Sequence, residues 1–143
     1  MDDEKLTRIL NNYLEFKFRK EQNILTLTCK KGEIPCNDEL LKKGVDIYKN
    51  YLLDNKPLIV IIDVRLMETI NTSYVWNKVG KIFAEIEPIA AEKVICGSVL
   101  LNNKLIKLMI NSLLQVYPAK RPFNISGNYE EAMKFIKSVK TKK

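Results

Sequence analysis

The chain has 143 residues, 46% of them hydrophobic and 29% charged, which is the composition of one folded domain and excludes an intrinsically disordered protein. Its net charge of +7 would suit nucleic acid, but lysine outnumbers arginine twenty to four, an excess that AT-rich codon usage also produces. Three of the surplus charges also lie in the last four residues, so we do not expect a nucleic-acid partner.

The cysteines and the hydropathy pattern bear on the compartment. Cys29, Cys36 and Cys96 share no metal-ligand spacing, so they predict neither a disulfide framework nor a metal site. The N-terminus is acidic and lacks an apolar signal core, and the longest apolar run, Leu58–Ile62, is far too short to span a bilayer. We therefore expect a cytoplasmic protein without membrane insertion.

The first half of the chain predicts a hairpin, a helix and a buried strand. Residues 13–19 and 24–30 alternate between apolar and polar side chains, which is typical of two antiparallel strands joined by a short turn. Asn37 or Asp38 can cap a first main helix, in which apolar residues recur at steps of three and four. The run Leu58–Asp63 is apolar without alternation and predicts a central strand covered on both faces.

The second half continues with alternating helices and strands. A second main helix is predicted to begin at residues 71–73 and to stop before Pro88, and residues 94–101 predict a second buried strand. Residues 102–116 predict a third main helix, for which Asn102 or Asn103 can form the cap, and residues 122–139 a short strand with a closing helix. The predicted buried stripe of the second main helix is Val75, Val79, Ile82, Phe83 and Ile86.

The order β-β-α-β-α-β-α-β-α predicts an α/β (α+β) sandwich built on a mixed sheet of about five strands. Its later strands should be parallel because helical crossovers connect them. Since no linker interrupts the pattern, we predict a single domain at residues 13–139. Residues 1–12 predict a short helix or a loose arm before it, and residues 140–143 a basic disordered tail.

Little in the sequence indicates catalysis. The chain has no histidine, which removes the usual general base and the commonest metal ligand. Asp63 and Glu68 could bind a cation or act as acid and base at the end of the central strand, or Asp63 could cap N–H groups of the following loop. Cys29 and Cys96 fit buried positions in strands, whereas Cys36 precedes a helix cap that could lower the pKa of its thiol. We predict no enzyme, no cofactor and no metal.

Two features go beyond what a core requires. The third main helix carries more apolar residues than one sheet face can bury, so it is either sandwiched or meets a partner, a second copy of the chain or an apolar ligand. Trp76 is either a core residue or an anchor for a protein partner. The apolar residues of the helix are Leu105, Ile106, Leu108, Met109, Ile110, Leu113, Leu114 and Val116.

Three collinear segments resemble the STAS-like family, which comprises sulfate-transporter and anti-sigma-factor-antagonist domains and small stand-alone bacterial proteins. They are LIVIIDVRLMETINTSYVWNKVGKIF (58–83), LIKLMINSLLQVYPAKRP (105–122) and FNISGNYEEAMKFI (123–136). The resemblance extends over residues 13–139 and implies a STAS-like sheet with packed helices.

The resemblance also implies a site. In anti-sigma factor antagonists the turn before the second main helix carries a phosphorylated serine, which matches Ser73 here, with Thr72 as the neighbour that could substitute. Asn71 stands where the family usually has an acidic residue, and Tyr74 where it has glycine. A phosphate at this helix N-terminus would gain from the macrodipole and the free N–H groups, whereas an unmodified Ser/Thr cap is the alternative.

We therefore expect a non-catalytic STAS-like regulatory module that binds a protein partner, such as a kinase, a phosphatase or another regulator. The second main helix and the loop before it would form the contact, and phosphorylation of Ser73 or Thr72 would tune it. The alternative is a carrier or sensor of an apolar small molecule, since the STAS-like fold is related to lipid-transfer domains. The partner-binding candidates are Asn71, Tyr74, Trp76 and Lys78.

Overall fold

A five-stranded mixed sheet forms the centre of the protein, in a computed structural model that describes residues 2–32, 37–68 and 74–141. The strands lie in sequence order, with β1 and β2 antiparallel, the remaining neighbours parallel, and β1 and β5 at the two edges. This arrangement confirms the predicted mixed sheet. The strands are β1 (Leu14–Arg19), β2 (Ile24–Cys29), β3 (Leu58–Asp63), β4 (Val94–Leu100) and β5 (Phe123–Ser126).

Five helices accompany the sheet within the described ranges, and a π-helical segment, Val75–Val79, leads directly into the third of them. Asn37 and Asn103 form the predicted caps, because each side-chain oxygen accepts hydrogen bonds from two first-turn N–H groups. None of the described helices is both long and apolar enough to cross a bilayer. The helices are α1 (Asp3–Leu10), α2 (Asp38–Leu53), α3 (Gly80–Lys93), α4 (Lys104–Val116) and α5 (Tyr129–Thr141).

The two faces of the sheet are covered by different helices. On one face, Ala132 and Ile136 of α5 pack against Ile59, Ile61 and Cys96. On the other face lie α2, α3 and α4, and the side chain of Leu52 packs there against alternate residues of β2 and β3. The uninterrupted apolar run of β3 follows from this, since both of its faces are buried.

The N-terminal segment is a helix that joins the core. Leu10 at the end of α1 is buried against Leu14 and Leu40, and Asp3 forms an ion pair with Lys43 of α2 at 2.7 Å. At the other end of the chain, α5 extends to Thr141.

One helix boundary was predicted wrongly. The second main helix does not stop before Pro88 but continues to Lys93 with the proline inside it. Proline removes one backbone donor from the helix, a local cost that packing and other bonds can offset. Here the turns on either side of Pro88 are held from outside, because Glu87 accepts a hydrogen bond from the Lys120 N–H (2.8 Å) and the Ala91 carbonyl accepts one from Arg121 Nε (2.7 Å).

Two burial patterns also differ from the prediction. β2 is buried on both faces at its start, because it is an interior strand and Thr26 faces α5. The predicted stripe of α3 is only half-buried at Ile82, Phe83 and Ile86, which line a cavity instead of packing closely on the sheet.

Candidate functional site

The predicted phosphorylation turn lies mostly outside the described residues. This is true of Asn71, Thr72 and Ser73 and of the side chain of Trp76, whose roles stay predictions. Tyr74 and Lys78 are described, and both are half-buried where the chain enters the π-helical segment.

Tyr74 and Lys78 converge on Asp38, the first residue of α2. The Tyr74 hydroxyl donates to Asp38 Oδ1 at 3.2 Å, and Lys78 Nζ lies 3.1 Å from Oδ2. Hydrogen bonds from Lys78 and then from Tyr74 lower the pKa of the Asp38 carboxyl, so it is ionised at neutral pH. These contacts fasten the start of α2 to the start of the π-helical segment.

Sequence reasoning named Tyr74 and Lys78 but treated Asp38 only as a possible helix cap. Asp38 is 36 residues away from Tyr74 along the chain, so no local spacing relates them. The contact becomes visible only when the sheet brings the two helix starts together.

Asp63 at the carboxyl end of β3 caps the following loop, which is one of the roles that the sequence predicts for it. Its Oδ1 accepts from the Arg65 N–H (3.1 Å) and Arg65 Nε (3.0 Å), and its Oδ2 accepts from Arg65 Nη2 (2.8 Å). Burial alone would raise the pKa of Asp63, but the bonds from Arg65 outweigh it and the net pKa is lowered. Among the described residues, no three acidic, cysteine or histidine side chains are grouped to hold a metal ion.

The Asp63–Arg65 pair belongs to a polar cluster on the α5 side of the sheet, together with Thr26 and Tyr129. The Arg65 guanidinium lies over the Tyr129 ring, 5.9 Å from its centroid, and the Tyr129 hydroxyl is 3.1 Å from Thr26 Oγ1. Strand β2, the end of β3 and the start of α5 are thereby connected. These contacts give the side chains of Thr26, Asp63, Arg65 and Tyr129 a structural role.

The buried cysteines are packing residues. Burial, with a smaller contribution from the Asp63 charge, raises the pKa of the Cys29 thiol to about 12, and burial also raises the pKa of Cys96. Both thiols are therefore protonated at neutral pH and poorly nucleophilic, as the strand positions predicted. Cys36 lies outside the described residues.

A cavity of about 330 Å³ lies between the sheet and helices α2, α3 and α4. Aliphatic and aromatic side chains form nearly all of its wall, and its four polar members are Tyr48, Glu87, Tyr117 and Arg121. Burial, with the nearby Glu87 charge, raises the pKa of Tyr48, so its hydroxyl is protonated. Each helix contributes a short row to the wall: Leu41, Gly44 and Val45 from α2, Ile82, Phe83 and Ile86 from α3, and Ile106, Met109, Ile110, Leu113 and Leu114 from α4.

The cavity explains part of the excess apolar surface of α4. Five of its apolar residues line the cavity, whereas Leu105, Leu108 and Val116 are 76%, 64% and 60% exposed. Ile106 and Leu113 are buried in the core, so α4 is partly packed against the interior and partly exposed to solvent. A partner, a second copy of the chain or an apolar ligand can therefore meet α4 at two places, which are the cavity and the exposed stripe.

Sequence comparison finds no match for this chain, whereas structural comparison does. No protein-family model matches the chain, and no curated protein matches it significantly. The crystal structure of an uncharacterised DUF3478-family protein from Shewanella loihica PV-4, which has a SpoIIAA-like fold, matches 85% of this chain and 90% of its own with a TM-score of 0.57 at 10% identity. The fold is STAS-like.

The STAS-like fold also matches two structures from Pseudomonas aeruginosa. The first is the diguanylate cyclase SiaD in complex with its activator SiaC, with a TM-score of 0.53, 17% identity and coverage of 79% of this chain and 90% of that one. The second is apo-SiaC, with a TM-score of 0.50, 16% identity and coverage of 80% and 91%. At these identities the likeness concerns the fold, which confirms the predicted class.

Proposed function

We propose that this protein is a non-catalytic regulatory module that binds a protein partner through the turn before the π-helical segment and the start of that segment. The observation that carries the proposal is the junction at Asp38, where Tyr74 and Lys78 join two helix starts beside the predicted turn. The STAS-like fold supports it, since SiaC, which shares the fold, is the activator of SiaD and forms a complex with it.

Phosphorylation would act on this junction by charge competition. Ser73 directly precedes Tyr74 in the chain, and Lys78 follows five residues later. A phosphate on Ser73 carries a charge of about −1.5 to −2 and competes with Asp38 for the Lys78 ammonium. The negative charges also repel each other, so phosphorylation loosens the junction and alters the surface offered to the partner. Thr72 can take the same role one residue earlier.

The partners implied by this mechanism fall into two groups. A kinase and a phosphatase set the state of the turn, and a regulated protein reads it. Asn71, the first residue of the turn, and Trp76, three residues after Ser73, complete the proposed contact surface. Tryptophan is enriched among the residues that contribute most of the binding energy in protein interfaces.

The test is affinity capture of the tagged protein from its native host, with bound proteins quantified by mass spectrometry. Compared with wild type, Ser73→Glu, Lys78→Gln and Trp76→Ala should change recovery of the same partner by at least about fivefold, the lower end of typical coupling energies. Lys137→Gln is the matched control, because it removes an exposed lysine of α5. Equal recovery of every protein with all variants would contradict the proposal.

A second experiment tests the charge-competition step. In an Asp38→Asn background Ser73→Glu should have a smaller effect on partner affinity, because the carboxylate with which it competes is gone. Strictly additive effects of the two substitutions would contradict competition at Lys78. The intact mass of protein purified from the host reports phosphorylation directly, and Ser73→Ala together with Thr72→Ala should remove any phosphate-sized increase.

A further inference from the structure

The cavity beneath α4 is a site that the regulatory proposal does not use. Protein interiors are packed at crystal-like density and leave few voids larger than a water molecule, so an apolar space of about 330 Å³ is unusual. That volume lies at the lower end of small-molecule sites, which span about 300–1,000 Å³. The space suits one slender ligand better than a branched or two-chain one.

The opening of the cavity is formed by the loop between α4 and β5. A shallower depression, lined by Leu114 and residues 118–123, shares Leu114, Ala119, Arg121, Pro122 and Phe123 with the cavity wall. The two spaces are therefore adjacent. A ligand in the cavity can reach solvent along this loop.

The loop is held against α3, which keeps the opening in place. Adding a Cβ to Gly80 would bring it within 2.8 Å of the Tyr117 ring, so the ring lies directly on the backbone of α3. Farther along the loop, the Lys120 N–H donates to Glu87 and Arg121 Nε donates to the Ala91 carbonyl. The wall and the rim of the cavity are thus connected.

The charge at the opening is positive. Between Asn102 and Pro122 the chain contains Lys104, Lys107, Lys120 and Arg121 and no acidic residue. Glu87 of α3 also borders the cavity, so the opening holds two cationic side chains against one carboxylate. Only Nε of Arg121 is used by the bond to Ala91, and a guanidinium carries four further N–H donors on its two Nη atoms. Such a fork suits a carboxylate or a phosphate.

We propose that the cavity binds a single-chain anionic amphiphile, with its hydrocarbon chain among the apolar residues of α2, α3 and α4 and its acidic head at Arg121 and Lys120. The apolar wall selects the chain, the small volume excludes a second chain, and the cationic residues Arg121 and Lys120 select the head. Asp38, Tyr74 and Lys78 are not among the residues that line the cavity, so ligand binding and partner binding are tested with different variants.

The binding test titrates the purified full chain with dodecanoate, dodecyl phosphate and the neutral control dodecanol, below their micellar concentrations, by isothermal calorimetry. Saturable binding of one acidic ligand, tighter than that of dodecanol, is expected, and the tighter of the two identifies the preferred head. From octanoate to dodecanoate, affinity should rise by up to about fourfold per buried methylene. Absence of saturable binding for both acids, or tighter binding of dodecanol, would overturn the proposal.

Matched variants locate the ligand. Ile110→Trp fills the cavity and should weaken binding of the acid by at least about tenfold, whereas Leu108→Trp, on the exposed stripe of the same helix, should change it by less than about twofold. Ile82→Phe fills the cavity from α3 and serves if Ile110→Trp lowers the melting temperature strongly. Equal losses for Ile110→Trp and Leu108→Trp would place the ligand outside the cavity and overturn the proposal.

A second pair of variants tests the head. Arg121→Gln should weaken binding of the acid by about tenfold and leave dodecanol unchanged, because a charge-assisted hydrogen bond is lost. Lys107→Gln removes an equal charge from α4 at a residue outside the cavity wall and should have little effect. Equal weakening of the acid and of dodecanol by Arg121→Gln would contradict the assigned role of the guanidinium.

Discussion

The two faces of the sheet are packed differently. On the α5 face, Ile59, Ile61, Cys96 and Ala132 are fully buried, and the small side chain of Ala132 lets the helix approach the strands closely. On the other face, α3 and α4 present larger residues but leave a cavity between themselves and the strands. The pattern of apolar residues therefore shows which side of a helix faces inward. It does not show whether that side packs closely against the sheet.

The largest difference between the faces should appear in truncations of isoleucine. Ile136→Ala on α5 should lower the free energy of unfolding by about 2–5 kcal/mol, because Ile136 is only 1% exposed and leaves a new void. Ile110→Ala, the same change on the cavity side, should cost about 1 kcal/mol or less, since its side chain already borders empty space. Urea unfolding of both variants measures this, and equal losses would contradict the comparison.

A smaller change in the free energy of unfolding should come from the polar cluster on the α5 face. Asp63→Asn should lower the free energy of unfolding at pH 7 by about 1–2 kcal/mol, because charge-assisted bonds to Arg65 are weakened. The folded-state pKa of Asp63 is lowered, so its stabilising effect is complete above the unfolded value of about 3.9 and is lost as pH falls through the folded one.

The difference between wild type and Asp63→Asn should accordingly shrink when urea unfolding is repeated below pH 4. Asp46→Asn provides the control, since this exposed residue of α2 should change the unfolding free energy by less than about 0.5 kcal/mol. A difference that grows on acidification would show that the sign of the Asp63 effect is wrong.

The smallest expected effect concerns Gly97, on the cavity side of β4. A Cβ there would lie 2.8 Å from the Phe123 ring and 3.2 Å from the Val60 carbonyl oxygen, so Gly97→Ala overpacks the strand. The cost should be about 1 kcal/mol, at the low end for overpacking, because Phe123 lines the cavity and its ring can move into it.

Thermal unfolding of Gly97→Ala and of Gly127→Ala checks this prediction. A Cβ on Gly127 would meet no described atom closer than 3.5 Å, so that variant should be nearly neutral. Loss of several kcal/mol in Gly97→Ala would show that the ring has no room, and the cavity side would then be as tightly packed as the α5 side.

Much of the fold could be read from local sequence. The LIVIID run of β3 has no alternation because helices cover both sides of the sheet, so burial on two faces is written in one strand. Asn37 and Asn103 act through N–H groups two and three residues away, which is why their capping could be predicted.

The features that the sequence did not predict have a common cause, since all of them depend on contacts between residues that are far apart in the chain. Pro88 marks a helix end by local rules, yet Lys120 and Arg121, more than 29 residues later, hold the neighbouring turns in place. Asp38 could not be linked to Lys78 by spacing for the same reason. The excess apolar surface of α4 was visible, but its division between a cavity and an exposed stripe depends on how far the helix stands from the sheet.

The strand order also has a consequence for behaviour at high protein concentration. β1 exposes the charged side chains Glu15, Lys17 and Arg19, and β5 is only four residues long and follows Pro122. Short or charged edges are poor templates for strands from other molecules. Edge-to-edge stacking of strands into aggregates is therefore disfavoured.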